Sequence, residues 1–226
     1  MRFLVSEKAY ETPIASGLLR YEQHEIAIDV IETWRLTVTT HGDQILRVDY
    51  DSRAVDGRSF LYHFVITQDN EPQRLVYRYL NDDGSALSGN VLFSVETMLN
   101  SRKIGEAHFE EELPMMPILF PTVIGAGFAA RALGRRRGSA EIATLDMNAD
   151  GNNRLKLHRV TTTIRPQRTR DLKIIRVGRN THRATTLTLE WGSESHQLWL
   201  DLKHRWPLKM ARENGIVAQE TRYIRY

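Results

Sequence analysis

Cysteine is missing from all 226 residues. Its absence excludes disulfides, thiolate nucleophiles and cysteine-ligated metals, and it leaves the redox compartment undetermined. Among the motifs that announce hydrolytic or phosphate chemistry, the Gly-x-Ser-x-Gly elbow and the GxxxxGK[ST] loop are absent too, so the two commonest hydrolase signatures drop out. The eight histidines, His24, His41, His63, His108, His158, His182, His196 and His204, form neither an HExxH nor an HxH pair. They are therefore read as surface or hydrogen-bonded strand residues, with no metal site expected. No low-complexity tract, fixed-period repeat or linker-like stretch interrupts the chain.

What is present is ordinary globular material, 41% hydrophobic and 26% charged, with a formal net charge of +3. From Leu18 onward, runs such as LLRYEQHEIAID, IETWRLTVTT, QILRVDYDS, SFLYHFVITQ, QRLVYRYL, ALSGNVLFSVET and RKIGEAHFEEEL alternate apolar and polar residues. Period two is the pattern of a sheet with one wet face, and Asn, Asp and Gly between the runs mark tight turns. The pattern resumes with AEIATLD, RLKLHRVTTTI, DLKIIRVG, RATTLTLE, HQLWLDL and IVAQETRYIRY. About a dozen strands in one β-domain spanning 1–226 predict an all-β fold, a large, strongly curved antiparallel sheet closing as a half-barrel or barrel.

One stretch departs from this rule. Leu113 to Gly138, LPMMPILFPTVIGAGFAARALGRRRG, reads as a helix-containing insertion, and its first 18 residues carry no charge. Pro114, Pro117 and Pro121 argue against a membrane span, because each removes a backbone donor that hydrocarbon cannot replace. The spacing predicts one interior helix near 121–133, with Pro121 at its first position and Gly134 past its end. Met115, Met116, Ile118, Phe120, Ile124 and Phe128 are the candidate ligand-binding residues, since methionines and aromatics make adaptable apolar linings. Arg131, Arg135, Arg136 and Arg137 form a candidate anionic-surface cluster, suited to the headgroups of an anionic membrane. Residues 131–183 as a whole carry 14 Arg and Lys against 4 Asp and Glu. No aromatic lies between Ser139 and Arg183 for bases to stack on, so no specific nucleic acid is expected.

Val123-Ile-Gly-Ala-Gly-Phe-Ala-Ala130 resembles the flavin- and nicotinamide-binding fingerprint, with Asp146 placed to hold a ribose hydroxyl. That is the alternative reading, a nucleotide (flavin/NAD)-dependent enzyme. Pro121 and the lack of βαβ units around it weigh against it, and no cofactor is expected. Asp146-Met-Asn148-Ala-Asp150-Gly151 opens like a calcium loop, but its twelfth position is Leu157 where a glutamate is required. Glu110, Glu111 and Glu112 read as a solvated strand end rather than an acid–base pair. The run Phe3 to Val5 is too short for a signal-peptide core, so at face value the chain is cytoplasmic.

The closing segment His196-Gln-Leu-Trp-Leu-Asp-Leu-Lys-His-Arg-Trp-Pro-Leu-Lys-Met210, followed by Glu213-Asn-Gly215 and a last strand, resembles the end of bacterial curved-sheet (half-barrel) proteins related to the outer-membrane lipoprotein carriers. An allied family of unknown function shares it. There a strand ending in an acidic residue precedes a Pro-Leu step and a final hairpin, and an interior helix sits against the concave sheet. The resemblance implies a concave, apolar-lined surface that holds an acyl chain, a lipid-like small molecule or an apolar peptide, without catalysis. It leaves the oligomeric state open.

Overall fold

The computed structural model describes residues 8–69, 71–133, 138–147, 149–166, 172–191, 194–204 and 206–226. It is an all-β protein. In chain order the strands are β1 (Glu11–Gln23), β2 (Ile26–Thr39), β3 (Gln44–Ser52), β4 (Arg58–Ile66), β5 (Pro72–Leu80), β6 (Ala86–Phe93), β7 (Thr97–Ile104) and β8 (Ala107–Pro114). A two-residue β9 (Ile118–Leu119) leads into helix α2 (Val123–Leu133), and then come β10 (Gly138–Leu145), β11 (Leu157–Pro166), β12 (Lys173–Val177), β13 (Asn180–Trp191), β14 (Glu194–Asp201), β15 (Pro207–Arg212) and β16 (Ile216–Arg225). A four-residue helix, α1 (Arg53–Asp56), joins β3 to β4.

All sixteen strands belong to one hydrogen-bonded sheet, ordered β8-β7-β6-β5-β4-β3-β2-β1-β16-β15-β14-β13-β11-β10-β9, with β12 paired to β13. The count exceeds the dozen expected because RKIGEAHFEEEL divides in two and because β9 and β15 are strands outside the alternating runs; elsewhere the boundaries shift without adding a strand. The run LLRYEQHEIAID is a hairpin rather than a strand: His24 and Glu25 take φ of 49° and 67°, the left-handed values that a two-residue turn between twisted strands needs. No glycine announces that turn. RKIGEAHFEEEL likewise folds at Gly105, φ 58°, and divides between β7 and β8. The expected interior helix starts at Val123 rather than Pro121, and α1 adds a second helix.

The chain clusters into two compact units, one of Met1–Leu18, Asp29–Met115 and Tyr223–Tyr226, the other of Leu19–Ile28 and Met116–Arg222. In the first unit, alternate residues of neighbouring strands supply the core. Leu46 and Val48, Phe60, Tyr62 and Phe64, Leu75, Tyr77 and Tyr79, Leu87 and Val91, and Met98 are all buried. Phe60 lies 5.3 Å from Tyr62, 6.1 Å from Tyr77 and 6.3 Å from Tyr79, ring centre to ring centre. Each such side chain withdrawn from water contributes roughly 1.5–3 kcal/mol.

Polar groups on the same rows are satisfied in a chain. Tyr77 Oη donates to Asn100 Oδ1 (2.7 Å), Asn100 Nδ2 donates to Glu111 Oε2 (2.8 Å), and Arg102 Nε donates to Glu111 Oε1 (2.9 Å). Gly89 makes this possible, because a Cβ there would overlap the Tyr77 hydroxyl. Burial raises the Tyr77 phenol far above its ordinary value, so it stays a donor. Of the three consecutive glutamates, Glu110 and Glu112 face solvent as expected, whereas Glu111 turns to Arg102.

A second buried charge pair sits at the start of β1. Arg47 is flanked by buried Leu46 and Val48 and projects to the opposite side, where Glu11 and Thr37 cover it. Arg47 NH2 donates to Glu11 Oε1 at 2.7 Å, Arg47 NH1 to Thr37 Oγ1 at 3.0 Å, and Thr37 Oγ1 to Glu11 Oε2 at 2.7 Å. Burial alone would raise the Glu11 carboxyl. The hydrogen bonds from Arg47 and Thr37, with the guanidinium charge, outweigh it and hold the carboxyl below its ordinary value. His63, paired across the strands with Arg47, is lowered by burial and by that same charge, and so stays neutral.

Arg47→Met therefore strands a buried carboxylate and is expected to cost about 3–5 kcal/mol, measured by urea unfolding, with Glu11→Gln in the same background recovering part of the loss. Acid sensitivity has a determined sign. His63 and His196, the latter pushed down to about 3 by burial and the Arg212 charge, take up protons more readily unfolded than folded. Stability should fall as pH drops below the ordinary histidine value of about 6.5, and further below about 4.3 as unfolded Glu11 protonates first. Replacing His63 and His196 with uncharged residues should flatten the upper part of that descent; an unchanged slope in urea midpoints would contradict it.

Candidate functional site

Helix α2 is built to lie close against its neighbours. Thr122 Oγ1 accepts the Gly125 N–H at 3.0 Å and the Thr122 carbonyl accepts Ala126 N–H at 2.9 Å, so Thr122 caps the helix and Pro121 lies before it. Val123, Ile124, Gly125, Ala126, Gly127, Ala129, Ala130 and Leu133 are buried, leaving only Phe128, Arg131 and Ala132 toward solvent. A Cβ on Gly125 would come 2.6 Å from the Phe120 carbonyl oxygen, and one on Gly127 would come 2.6 Å from Pro207 Cγ. These glycines exist for contact. They sit inside the helix and are covered by Phe120 and Pro207, so no phosphate has access to them, and this corrects the dinucleotide reading. The strand ahead of them is two residues long, paired in parallel with β10 through Ile118 and Ala143. Asp146 is engaged in its own turn, its Oδ1 accepting the Ala149 N–H at 3.0 Å.

The partner surface comes from the β14–β15 connection. Asp201 ends β14, and its Oδ2 accepts the backbone N–H of Lys203 (3.1 Å) and His204 (2.7 Å) while Oδ1 faces His182 Nδ1 at 3.3 Å. The Asp201 N–H bonds to the Trp206 carbonyl at 2.7 Å. This acidic strand end shapes the turn that delivers Trp206 and Pro207 to α2. There the Phe128 and Trp206 rings meet edge to face at 5.7 Å, and the Arg131 guanidinium lies 5.3 Å from the Phe128 ring centre and 5.5 Å from that of Trp206. A cation over two rings keeps its charge while shielding apolar surface.

The six residues expected to line a ligand site divide accordingly. Phe120 and Ile124 are fully buried and Ile118 nearly so, which makes them packing residues around β9 and α2. Met115 and Met116 are half-buried, with the Met115 N–H bonded to the Glu96 carbonyl at 2.7 Å. Phe128 joins the Arg131 guanidinium. Sequence reading missed Trp206, whose only mark was its place before Pro207. Of the arginine cluster, Arg131 lies in the stack just described; Arg135, Arg136 and Arg137 lie outside the described residues.

Elsewhere the basic block is partly neutralised across strands: Arg159 meets Glu141 at 3.3 Å, Arg165 meets Glu190 at 3.2 Å and Arg154 meets Asp150 at 3.6 Å. That last pair lies in the calcium-like loop, whose twelfth position, Leu157, is buried; Asn148 lies outside the described residues. Among the described residues no group of three or more His, Asp or Glu converges to hold a metal. Nor is any helix there long and apolar enough to cross a membrane.

No family model matches the chain, and no curated protein matches it. Among solved structures it is similar to the crystal structure of a beta-barrel-like protein of the domain of unknown function DUF1849 from Brucella abortus, at 11% sequence identity and a TM-score of 0.55, over 95% of this chain and 98% of that one. At that identity the likeness is one of fold alone, a β-barrel-like one.

Gly125→Ala and Gly127→Ala provide the check on this geometry. Alanine in a helix interior ordinarily stabilises by about 1 kcal/mol relative to glycine. Here the added methyl meets backbone or a rigid proline ring, so both variants should instead lose about 1–3 kcal/mol. Thermal unfolding reads the sign, and a raised midpoint would mean that α2 stands further from Phe120 and Pro207 than described.

Proposed function

We propose that this protein is a non-enzymatic binding module that takes an apolar or lipid-like ligand beside α2. The observation that carries this reading is the Phe128–Trp206–Arg131 stack, an apolar platform with a fixed cation on an otherwise buried helix. Such a platform suits an amphiphile. The chain packs against half-buried Phe128, which buried Trp206 backs from beneath, and an acidic headgroup meets the guanidinium, an interaction worth more next to apolar surface than in open water. Half-buried Met116 is on the same apolar segment and supplies an adaptable side chain. The β-barrel-like neighbour supports the fold class this function uses, and the resemblance of His196–Met210 to the lipoprotein carriers supports an acyl chain as the ligand class.

Native mass spectrometry of freshly purified protein should detect a co-purified lipid, and a fluorescent fatty acid should titrate saturably. Phe128→Ala is expected to weaken that titration about tenfold, the equivalent of roughly 1.4 kcal/mol of lost apolar contact. Arg131→Gln should weaken a fatty acid but leave the matching alcohol unaffected. Repeated absence of any bound mass, together with a non-saturating titration, would remove the proposal.

A further inference from the structure

We propose that the β12–β13 hairpin is an electrostatic docking arm for an anionic membrane surface. Its two strands pair antiparallel through Ile174–Arg183 and Arg176–Thr181, across a two-residue turn in which Gly178 takes φ 57°. One side of the ribbon is fastened down. Val177 and Ala184 are buried, the Arg176 carbonyl accepts Gln219 Nε2 at 3.0 Å, the Arg183 carbonyl accepts the Leu202 N–H at 2.7 Å, and His182 faces Asp201.

The opposite side therefore has a fixed presentation. By strand alternation it carries Ile174, Arg176, Thr181 and Arg183, all exposed, with exposed Arg179 at the turn and exposed Lys173 at the edge. Residues 172–184 contain no acidic residue. Unlike Arg159 and Arg165, these cations have no carboxylate set opposite them in the ribbon register, and Arg176 Nε reaches only the Gly178 carbonyl at 3.3 Å.

Charge identifies an anionic partner, and Ile174 identifies which kind. It is 74% exposed in the middle of the basic face. An isoleucine held in water gains from entering the boundary between headgroups and acyl chains, which a sugar–phosphate backbone does not offer. Single-stranded nucleic-acid binding would call for stacking aromatics, and the paired part of the ribbon, residues 173–184, has none. A rigid two-stranded presentation also spares the ordering entropy that a loose basic tail loses on adsorption.

The test is vesicle co-sedimentation of the full chain, on pure phosphatidylcholine and on phosphatidylcholine with about one third phosphatidylglycerol. Wild type should bind the anionic vesicles only, and less at about 0.5 M salt than at about 0.1 M. Changing Arg176, Arg179 and Arg183 together to Gln should weaken binding on the order of a hundredfold, about fivefold per charge. Ile174→Ser should weaken it about three- to tenfold with the salt dependence kept. Thermal midpoints of the variants report whether the ribbon stays folded, and Ile174→Ser is the independent check if the triple variant is destabilised. Equal sedimentation with neutral vesicles, wild-type binding by a folded triple variant, or complete loss on changing Arg135, Arg136 and Arg137 instead would overturn the arm. So would binding to a short DNA duplex through the same arginines with no vesicle binding. Fatty-acid titration is unaffected by these changes, so failure here is distinct from failure of the ligand site at α2.

Discussion

Register is the constraint on which this structure rests. In a sheet the side chains alternate faces, so a one-residue slip of any strand would send its whole buried set to water. Here the penalty goes beyond lost apolar contact, because the buried rows also hold charges. Asn100 and Arg102 reach Glu111 only while β7 and β8 keep the pairing that sets Asn100 opposite Glu111. Tyr77 reaches Asn100 only because Gly89 occupies the row between them. A buried carboxylate without its guanidinium is far costlier than an exposed leucine, so these groups select the register more sharply than the hydrophobic pattern does.

The same logic explains what was legible in the sequence. Period-two runs gave the all-β class and most strand positions, since a half-buried sheet cannot be built otherwise. Strand boundaries were misplaced where a turn forms without the usual residues. His24 and Glu25 adopt left-handed backbone through tertiary support, with the His24 N–H bonded to the Gly215 carbonyl at 3.1 Å. Nothing local in the letters QHEI foretells that. The helix was legible from its apolar run, but its start was not, because proline suits a first helical position while the helix begins two residues after Pro121, with Thr122 as its cap.

The site was legible in part, for a related reason. An apolar side chain reads the same whether it lines a cavity or fills a core, and packing decides between them. Phe120 and Ile124 turned out to fill, while Phe128 meets Trp206, a residue nearly eighty positions away whose approach depends on the Asp201 turn. The paired glycines of α2 show a similar ambiguity. Their spacing fits a phosphate loop and equally fits a helix pressed against a carbonyl and a proline ring; only the three-dimensional neighbours distinguish the two.

Strand β8 stands at one end of the hydrogen-bonded order. A terminal strand is a template on which another chain can add, and a sheet of this size, once extended by a second copy, has little to stop further growth. The side chains on β8 oppose that. His108, Glu110 and Glu112 are exposed along it, and Pro114 removes a donor at its end. An approaching copy would set its own acidic strand against this one, and like charges directly opposite each other disfavour pairing. The glutamate run is in this sense a device for colloidal stability: its charge opposes edge-to-edge growth in a protein built mostly of strands.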